Sequence, residues 1–202
     1  MPTEPDLERG GRGDPEPTRP LRADAQRNRA RILAAAESVF AADGIEVPID
    51  VVAEKAGVGI GTVYRHFPTK ERLFEAIMIE RVSALTVDAR ARLETGDPRS
   101  AFFEFLDYLV SEVLIKRDLI SAFAVAGVEF EVVAADAKQE LNAAVADLLT
   151  AAQDAGTVRT DVTGQIVLSL IGATCMAAKQ LHSGSTVDEM LAVLRDGLRA
   201  NA

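Results

Sequence analysis

The sequence predicts an all-α protein, and two observations support that fold class. Alanine, leucine, valine and glutamate dominate beyond residue 22, where glycine and proline become sparse. Apolar residues recur at helical spacing, and no segment shows the convincing period-two alternation that is typical of a half-buried strand. With 202 residues, 48% of them apolar, the chain is long enough for a small unit followed by a larger helical domain.

The first elements of the chain are predicted from composition and capping. Residues 1–22 are rich in proline, glycine and charge, so they cannot bury enough apolar surface to order and are predicted to be disordered. The first helix is predicted over residues 24–43, with Asp24 as its N-cap and Gly44 at its end. Its expected buried stripe consists of Ile32, Ala36, Val39 and Phe40.

The next stretch, residues 50–74, predicts two short helices joined by a tight turn. Apolar residues at helical spacing give the first of these helices a buried face, formed by Val51, Val52, Ala53 and Ala56. Gly57 ends that helix, because glycine adopts left-handed backbone angles without a Cβ penalty. The second helix is predicted from Gly59 or Ile60 to His66, and Pro68 prevents its continuation. This pattern is typical of a helix-turn-helix, which places its second helix in the DNA major groove.

The second short helix has side chains suited to DNA. Val63 and Phe67, four residues apart, are expected to face inward. The residues left to face outward supply hydroxyl, guanidinium and imidazole groups for phosphates and base edges, and a glycine permits close backbone approach. A lysine at the start of the following helix is placed to meet a phosphate. The predicted interface is Ile60, Gly61, Thr62, Tyr64, Arg65, His66 and Lys70.

The segments ILAAAESVFAADG and VVAEKAGVGIGTVYRHFPTKERLFEAI resemble the amino-terminal domain of TetR-family transcriptional regulators. Three positions depart from the usual Thr, Ser and Lys of that family: Pro48, Gly59 and Ile60. The resemblance implies a helix-turn-helix DNA-binding domain over residues 23–72. It also implies a ligand-binding and dimerisation domain over residues 73–202, whose last two long helices pair with those of a second subunit.

Five arginines lie where the tail meets the first helix: Arg19, Arg22, Arg27, Arg29 and Arg31. They fit either a basic arm that enters the minor groove or a solvated charge cluster.

Beyond the helix-turn-helix, glycine, proline and charged residues that break helices divide the chain into six further helices. They are predicted over residues 70–93, from Pro98 onward, and over 119–126, 129–155, 161–182 and 186–199.

Two apolar stripes on the last two helices fit a dimer interface, although they fit burial within one subunit equally well. The first consists of Ile166, Leu170, Ala173 and Ala177, and the second of Leu191, Leu194 and Leu198. The family resemblance favours the homodimer.

An aromatic cluster in the second domain predicts either ordinary core packing or an apolar ligand pocket. Five of the eight phenylalanines lie between residues 102 and 130, and Phe103 and Phe105 point to nearly opposite sides of one helix. Pockets are lined by apolar side chains with a few polar anchors, a role open to Gln180 and His182. The predicted ligand-binding residues are Phe103, Leu106, Tyr108, Phe123, Phe130, Cys175 and Met176.

Charge is distributed unevenly along the chain. The net charge is −9, yet residues 23–72 balance seven basic against seven acidic groups, while residues 73–202 carry eleven against nineteen, a net of −8. The acidity therefore lies away from the predicted DNA face, and it favours an apolar or cationic effector over an anionic one.

Other classes of protein are disfavoured by the sequence. Two histidines and one cysteine cannot form a standard zinc site, no constellation of catalytic residues occurs, and no cofactor is expected. The longest uncharged run, residues 162–178, is too short for a membrane span, so a cytoplasmic location without membrane partners is expected. The predicted function is a homodimeric, ligand-responsive repressor on a near-palindromic DNA operator. The alternative is an architectural DNA-binding protein without an effector.

Overall fold

The structure, a computed structural model, describes residues 19–115, 135–181 and 184–200. These residues form eight helices: α1 (Arg19–Asp43), α2 (Ile49–Ala56), α3 (Ile60–His66), α4 (Lys70–Thr95), α5 (Ala101–Ile115), α6 (Ala135–Asp154), α7 (Gly164–Leu181) and α8 (Gly184–Leu198). The all-α fold class is confirmed. Among the described helices, none is long and apolar enough to cross a membrane. The short helix predicted over residues 119–126 lies outside the described residues.

Two hydrophobic cores share α4. The first core packs α1, α2 and α3 against the first turns of α4 and ends at Met78. The second begins one turn later on the same helix, at Val82, and continues through α5, α6, α7 and α8. The predicted division between residues 72 and 73 therefore falls inside α4, whose first turns pack with the DNA-binding unit. A single helix, α4, thus contributes residues to both cores.

Glycines end three of the helices at the predicted places. Gly44, Gly57 and Gly156 have φ angles of 84°, 64° and 72°, a left-handed conformation that L side chains rarely adopt. Helix starts differ more from prediction. The N-cap assigned to Asp24 is wrong, because α1 begins at Arg19. The last four residues of the tail that was predicted to be disordered are therefore helical.

Two further helices begin later than predicted because local hydrogen bonds hold their approach segments. Asp97 accepts the N–H groups of Ser100 and Ala101 on its carbonyl, so Pro98 lies in a turn ahead of α5. Before α7, the side-chain amide of Gln153 donates to the carbonyls of Arg159 and Val162, at 2.9 and 3.0 Å. These two bonds hold the chain in a turn, and α7 starts only at Gly164.

The aromatic residues of α5 are core residues. Phe102, Phe103 and Phe105 are all buried in the second core, although they leave the helix in different directions. Both sides of α5 are covered, and the guanidinium groups of Arg195 and Arg199 lie over the Phe103 ring at 5.9 and 5.5 Å. For these three phenylalanines, the structure favours the core-packing alternative.

The two apolar stripes have different surroundings. On α8, Leu198 is buried in the second core, and Leu191 and Leu194 pack against it. On α7, the residues buried in the core are Val167 and Ile171, whereas the predicted stripe lies on another face. Its members Ile166 and Leu170 are exposed.

Candidate nucleic-acid interface

The turn before α3 is fixed by backbone geometry. Gly57 donates its N–H to Glu54 O at 3.0 Å, and Val58 donates to Ala53 O at 3.1 Å, a pair of bonds that closes the carboxyl end of α2. Gly59 then caps α3 in an extended conformation without a side-chain bond. Val63 is buried, which fixes the face that α3 turns toward the first core.

One face of α3 is open to solvent. Ile60 and Tyr64 are each 47% exposed. Arg65 is exposed, while Thr62 and His66 are half-buried. The predicted inward orientation of Val63 and Phe67 is confirmed, and so α3 presents the other predicted residues outward. Val51, in contrast, was predicted to face inward on α2 but is exposed.

Gly61 adds to the openness of this face. A Cβ built on Gly61 would meet no heavy atom within 4 Å, so the backbone of α3 is accessible there. A molecule that lies against α3 can therefore approach its main chain closely.

Lys70 has an internal partner. Its ammonium donates to the carbonyl of Val47 at 2.8 Å and lies 5.7 Å from the centroid of the Phe40 ring. The Lys70 side chain is therefore tied to the loop between α1 and α2, although it was predicted to meet a phosphate. Sequence reasoning could not detect this bond, because it joins residues that are 23 positions apart.

The first turn of α4 favours negative charge. The hydroxyl of Thr69 accepts the N–H of Arg72 at 3.3 Å and caps the helix. The pKa of Glu71 lies below its usual value, mainly because a backbone N–H donates to the carboxylate and also because Thr69 does. An anion is thus stabilised at this helix start, as expected from free N–H groups and the helix dipole.

The arginines of α1 contact the protein itself. Arg27 pairs with Asp24 on the same helix. Arg29 lies 3.7 Å from a carboxylate oxygen of Glu80, and Arg31 donates to the carbonyl of Gly57 at 3.3 Å. Arg27, Arg29 and Arg31 remain exposed at the surface, so for these three arginines the contacts favour the solvated charge cluster over a free arm that enters the minor groove. The side chains of Arg19 and Arg22 lie outside the described residues.

The predicted ligand-binding residues do not meet around a common cavity in the described part of the chain. Phe103 and Leu106 are buried in the second core, and Tyr108 packs against it. Met176 is 69% exposed on α7 and is not among the residues of that core, so it lies apart from these three residues. The remaining predicted residues lie outside the described residues: Phe123, Phe130, His182 and the side chains of Cys175 and Gln180.

Two grooves border α8 instead. One, of about 770 Å³, lies between α7 and α8 and is lined by Leu170, Thr174, Met190 and Val193 among others. The second, of about 530 Å³, lies between α5 and α8, where Arg195 pairs with Asp107 at 2.9 Å. None of the predicted ligand-binding residues lines either groove. Among the described residues, no group of three or more His, Cys, Asp or Glu side chains is arranged to hold a metal ion.

A helix-turn-helix with an exposed second helix, joined through one long helix to a second helical core, defines a DNA-binding regulator. Comparison with known proteins gives the family. A family model described as "Bacterial regulatory proteins, tetR family" matches residues 32–77. Another, described as "Transcriptional regulator SbtR-like, C-terminal domain", matches residues 97–200. The chain belongs to the TetR family of transcriptional regulators. The families and relatives that it matches are transcriptional regulators and not enzymes.

Solved structures and curated proteins agree with this assignment. A TetR transcription regulatory protein from Mycobacterium vanbaalenii is 40% identical, with a TM-score of 0.74 over 90% of this chain and all of that one. The regulator SCO0520 from Streptomyces coelicolor is 28% identical, with a TM-score of 0.69, and the match covers 86% of this chain and 99% of that one. The repressor KstR of Mycolicibacterium smegmatis is 37% identical over 98 residues, 46% of this chain and 45% of that one. The chain spans between 32% and 50% of the first curated relatives that it matches.

Proposed function

We propose that this regulator is a homodimeric repressor that binds a near-palindromic operator and leaves it when a small molecule binds the domain over residues 73–202. The observation that carries the proposal is the open face of α3. An exposed helix with hydroxyl, guanidinium and imidazole groups, set on a buried framework, is the element that reads a major groove.

The roles within the interface follow from position and chemistry. Thr62 and Arg65 reach base edges, with Arg65 suited to a bidentate contact with guanine. Tyr64 contacts a phosphate, and Ile60 offers an apolar surface to a thymine methyl group. Gly61 and His66 complete the surface of α3. Lys70 belongs to the interface through the first turn of α4, while its ammonium remains on Val47.

The proposed dimer uses the outward face of α7 and α8. Large apolar side chains are exposed there, namely Ile166 and Leu170 on α7 and Val193 on α8, the last at 73% exposure. Leu170 and Val193 line the same groove, and exposed apolar side chains grouped in this way are typical of a protein interface. A second copy supplies a matching surface, because a twofold interface uses the same patch on both subunits.

The effector is proposed to be apolar or cationic, in keeping with the net charge of −8 over residues 73–202. Its effect would reach α3 through α4, which contributes to both cores. At the boundary between the cores, Arg81 pairs with Glu37 of α1 at 3.3 Å. Burial lowers the pKa of Arg81, and the charges of Glu37 and of Glu112 on α5 oppose that shift. Arg81 thus interacts with both units.

The operator is predicted to be a near-palindrome with half-sites ~34–36 Å apart or a multiple of that distance. The measurement is selection of duplexes from a random-sequence library by the purified protein, followed by footprinting. One strongly protected symmetric site agrees with the proposal. A single asymmetric half-site bound by a monomer contradicts it, and recovery of many unrelated sequences supports the architectural alternative.

A regulator of this kind acts on the chromosome, so the cytoplasm is its proposed location.

Effector binding is expected to raise the melting temperature and to release the selected duplex, because a ligand shifts an equilibrium by its differential affinity for the two states. The measurement is a thermal-shift screen of apolar, cationic and anionic compounds, with each hit then titrated against the protein–duplex complex. If polyanions alone stabilise the protein and displace DNA, the proposed effector class is wrong. A compound that stabilises the protein without displacing DNA serves as the control for unspecific binding.

A further inference from the structure

Two arginines of α1 contact residues that flank α3 on either side. Arg31 donates to the carbonyl of Gly57, in the turn that precedes α3. The guanidinium of Arg29 lies 5.5 Å from the ring centroid of Phe67, the residue that follows α3. One helix therefore contacts the turn before the recognition helix and the residue after it, through two side chains of the same type.

The contact at Gly57 is close and directional. A Cβ built on Gly57 would lie 2.7 Å from Nη2 of Arg31, so the guanidinium occupies the space that a side chain would need. The acceptor belongs to the carboxyl end of α2, where unpaired carbonyls and the helix dipole favour a cation. The glycine thus provides both the left-handed turn and access for Arg31.

The contact at Phe67 is linked to a third helix. Arg29 lies over the face of the Phe67 ring, an arrangement in which a cation is attracted to the aromatic quadrupole. The same guanidinium lies 3.7 Å from Glu80 of α4. Because Phe67 itself is buried in the first core, Arg29 connects the end of α3 to both α1 and α4.

We propose that Arg29 and Arg31 are positioning residues that set the orientation of α3 for sequence recognition, rather than phosphate contacts. This inference rests on the proposed DNA-binding role of α3. The two roles differ in a measurable way. A phosphate contact supports all DNA sequences alike and contributes ~0.9 to the log–log slope of affinity against salt. A positioning contact supports the specific complex and leaves that slope unchanged.

The test compares Arg31→Met and Arg29→Met with the wild-type protein on two duplexes, one selected from a random library and one scrambled. Each variant is expected to lose roughly three- to tenfold in affinity for the selected duplex, the effect of about one hydrogen bond for Arg31 and one cation–π contact for Arg29. Affinity for the scrambled duplex and the salt slope on both duplexes should stay unchanged. The specificity ratio is the affinity for the selected duplex divided by the affinity for the scrambled one. Arg31→Lys should restore this ratio, because an ammonium can also donate to the Gly57 carbonyl.

A matched control separates charge from position. Arg27→Met removes the same charge from the same helix, but Arg27 pairs with Asp24 of α1, so its specificity ratio should equal that of the wild type. All titrations are made at a temperature where circular dichroism shows each variant to be folded. A lower folding stability of a variant then does not by itself change the ratio of its two duplex affinities.

Two results overturn the inference. In the first, both duplexes weaken equally and the salt slope falls by ~0.9 per arginine, which identifies phosphate contacts. In the second, the specificity ratio of Arg29→Met and Arg31→Met is unchanged. A wild-type protein that selects no sequence overturns the proposed function itself, an outcome that is seen before any variant is made.

Discussion

Val193→Glu is expected to make the protein monomeric and to lower its affinity for a two-half-site operator by ~100-fold or more. Val193 is 73% exposed in the single subunit and lines the groove between α7 and α8. If a second subunit covers this face, the new carboxylate is buried without a partner, which strongly opposes association. Loss of the dimer removes the high effective concentration of the second recognition helix.

The measurement is sedimentation velocity together with titration of the selected duplex. Val87→Glu is the matched control, because Val87 is 66% exposed on α4, away from the proposed interface, and receives the same change. The control should remain dimeric with unchanged affinity. A Val193→Glu protein that stays dimeric and binds normally would show that the interface lies elsewhere.

Local signals account for the elements that the sequence predicted well. The ends of α1 and α2 are set by Gly44 and Gly57, whose left-handed angles are a property of the glycine itself. The inward orientation of Val63 and Phe67 follows from a spacing of four residues on a helix. Each of these features depends on neighbours within about one helical turn, so it can be predicted from the local sequence pattern.

Contacts between distant residues could not be predicted in the same way. Lys70 and Val47 are 23 residues apart, Arg31 and Gly57 are 26 apart, and Arg195 and Asp107 are 88 apart. Periodicity specifies which face of a helix is apolar, but it does not specify which neighbour a long polar side chain reaches. The sequence therefore could not predict that Lys70 donates to Val47, or that the exposed Arg29 and Arg31 also contact the protein around α3.

The same limit applies to the stripes of α7 and α8. Both have helical periodicity, and the sequence could not distinguish burial within one subunit from burial between two. The structure separates them, because Leu198 is buried in the second core while Ile166 and Leu170 are exposed. Which stripe is covered depends on how α7 and α8 pack together, and that is a tertiary property.

Phe74→Ala is expected to unfold the DNA-binding unit while leaving the second core and the dimer intact. Phe74 is fully buried in the first core and meets the Phe40 ring edge-on at 4.9 Å. Truncating a buried phenylalanine destabilises by ~3–5 kcal/mol, because the lost contacts leave a cavity. A unit of this size has little stability in reserve, so the loss should be enough to unfold it.

Phe105→Ala provides the matched comparison, because Phe105 is equally buried but lies in the second core. Hydrogen exchange read by mass spectrometry should show lost protection in α1 to α3 for Phe74→Ala, and in α5 to α8 for Phe105→Ala. The Phe74→Ala protein should sediment as a dimer and fail to bind the selected duplex. If it instead loses protection in α5 and α6 as well, α4 joins the two cores into one cooperative unit. A ligand bound in the second core would then act on α3 through shared stability rather than through movement of a rigid helix.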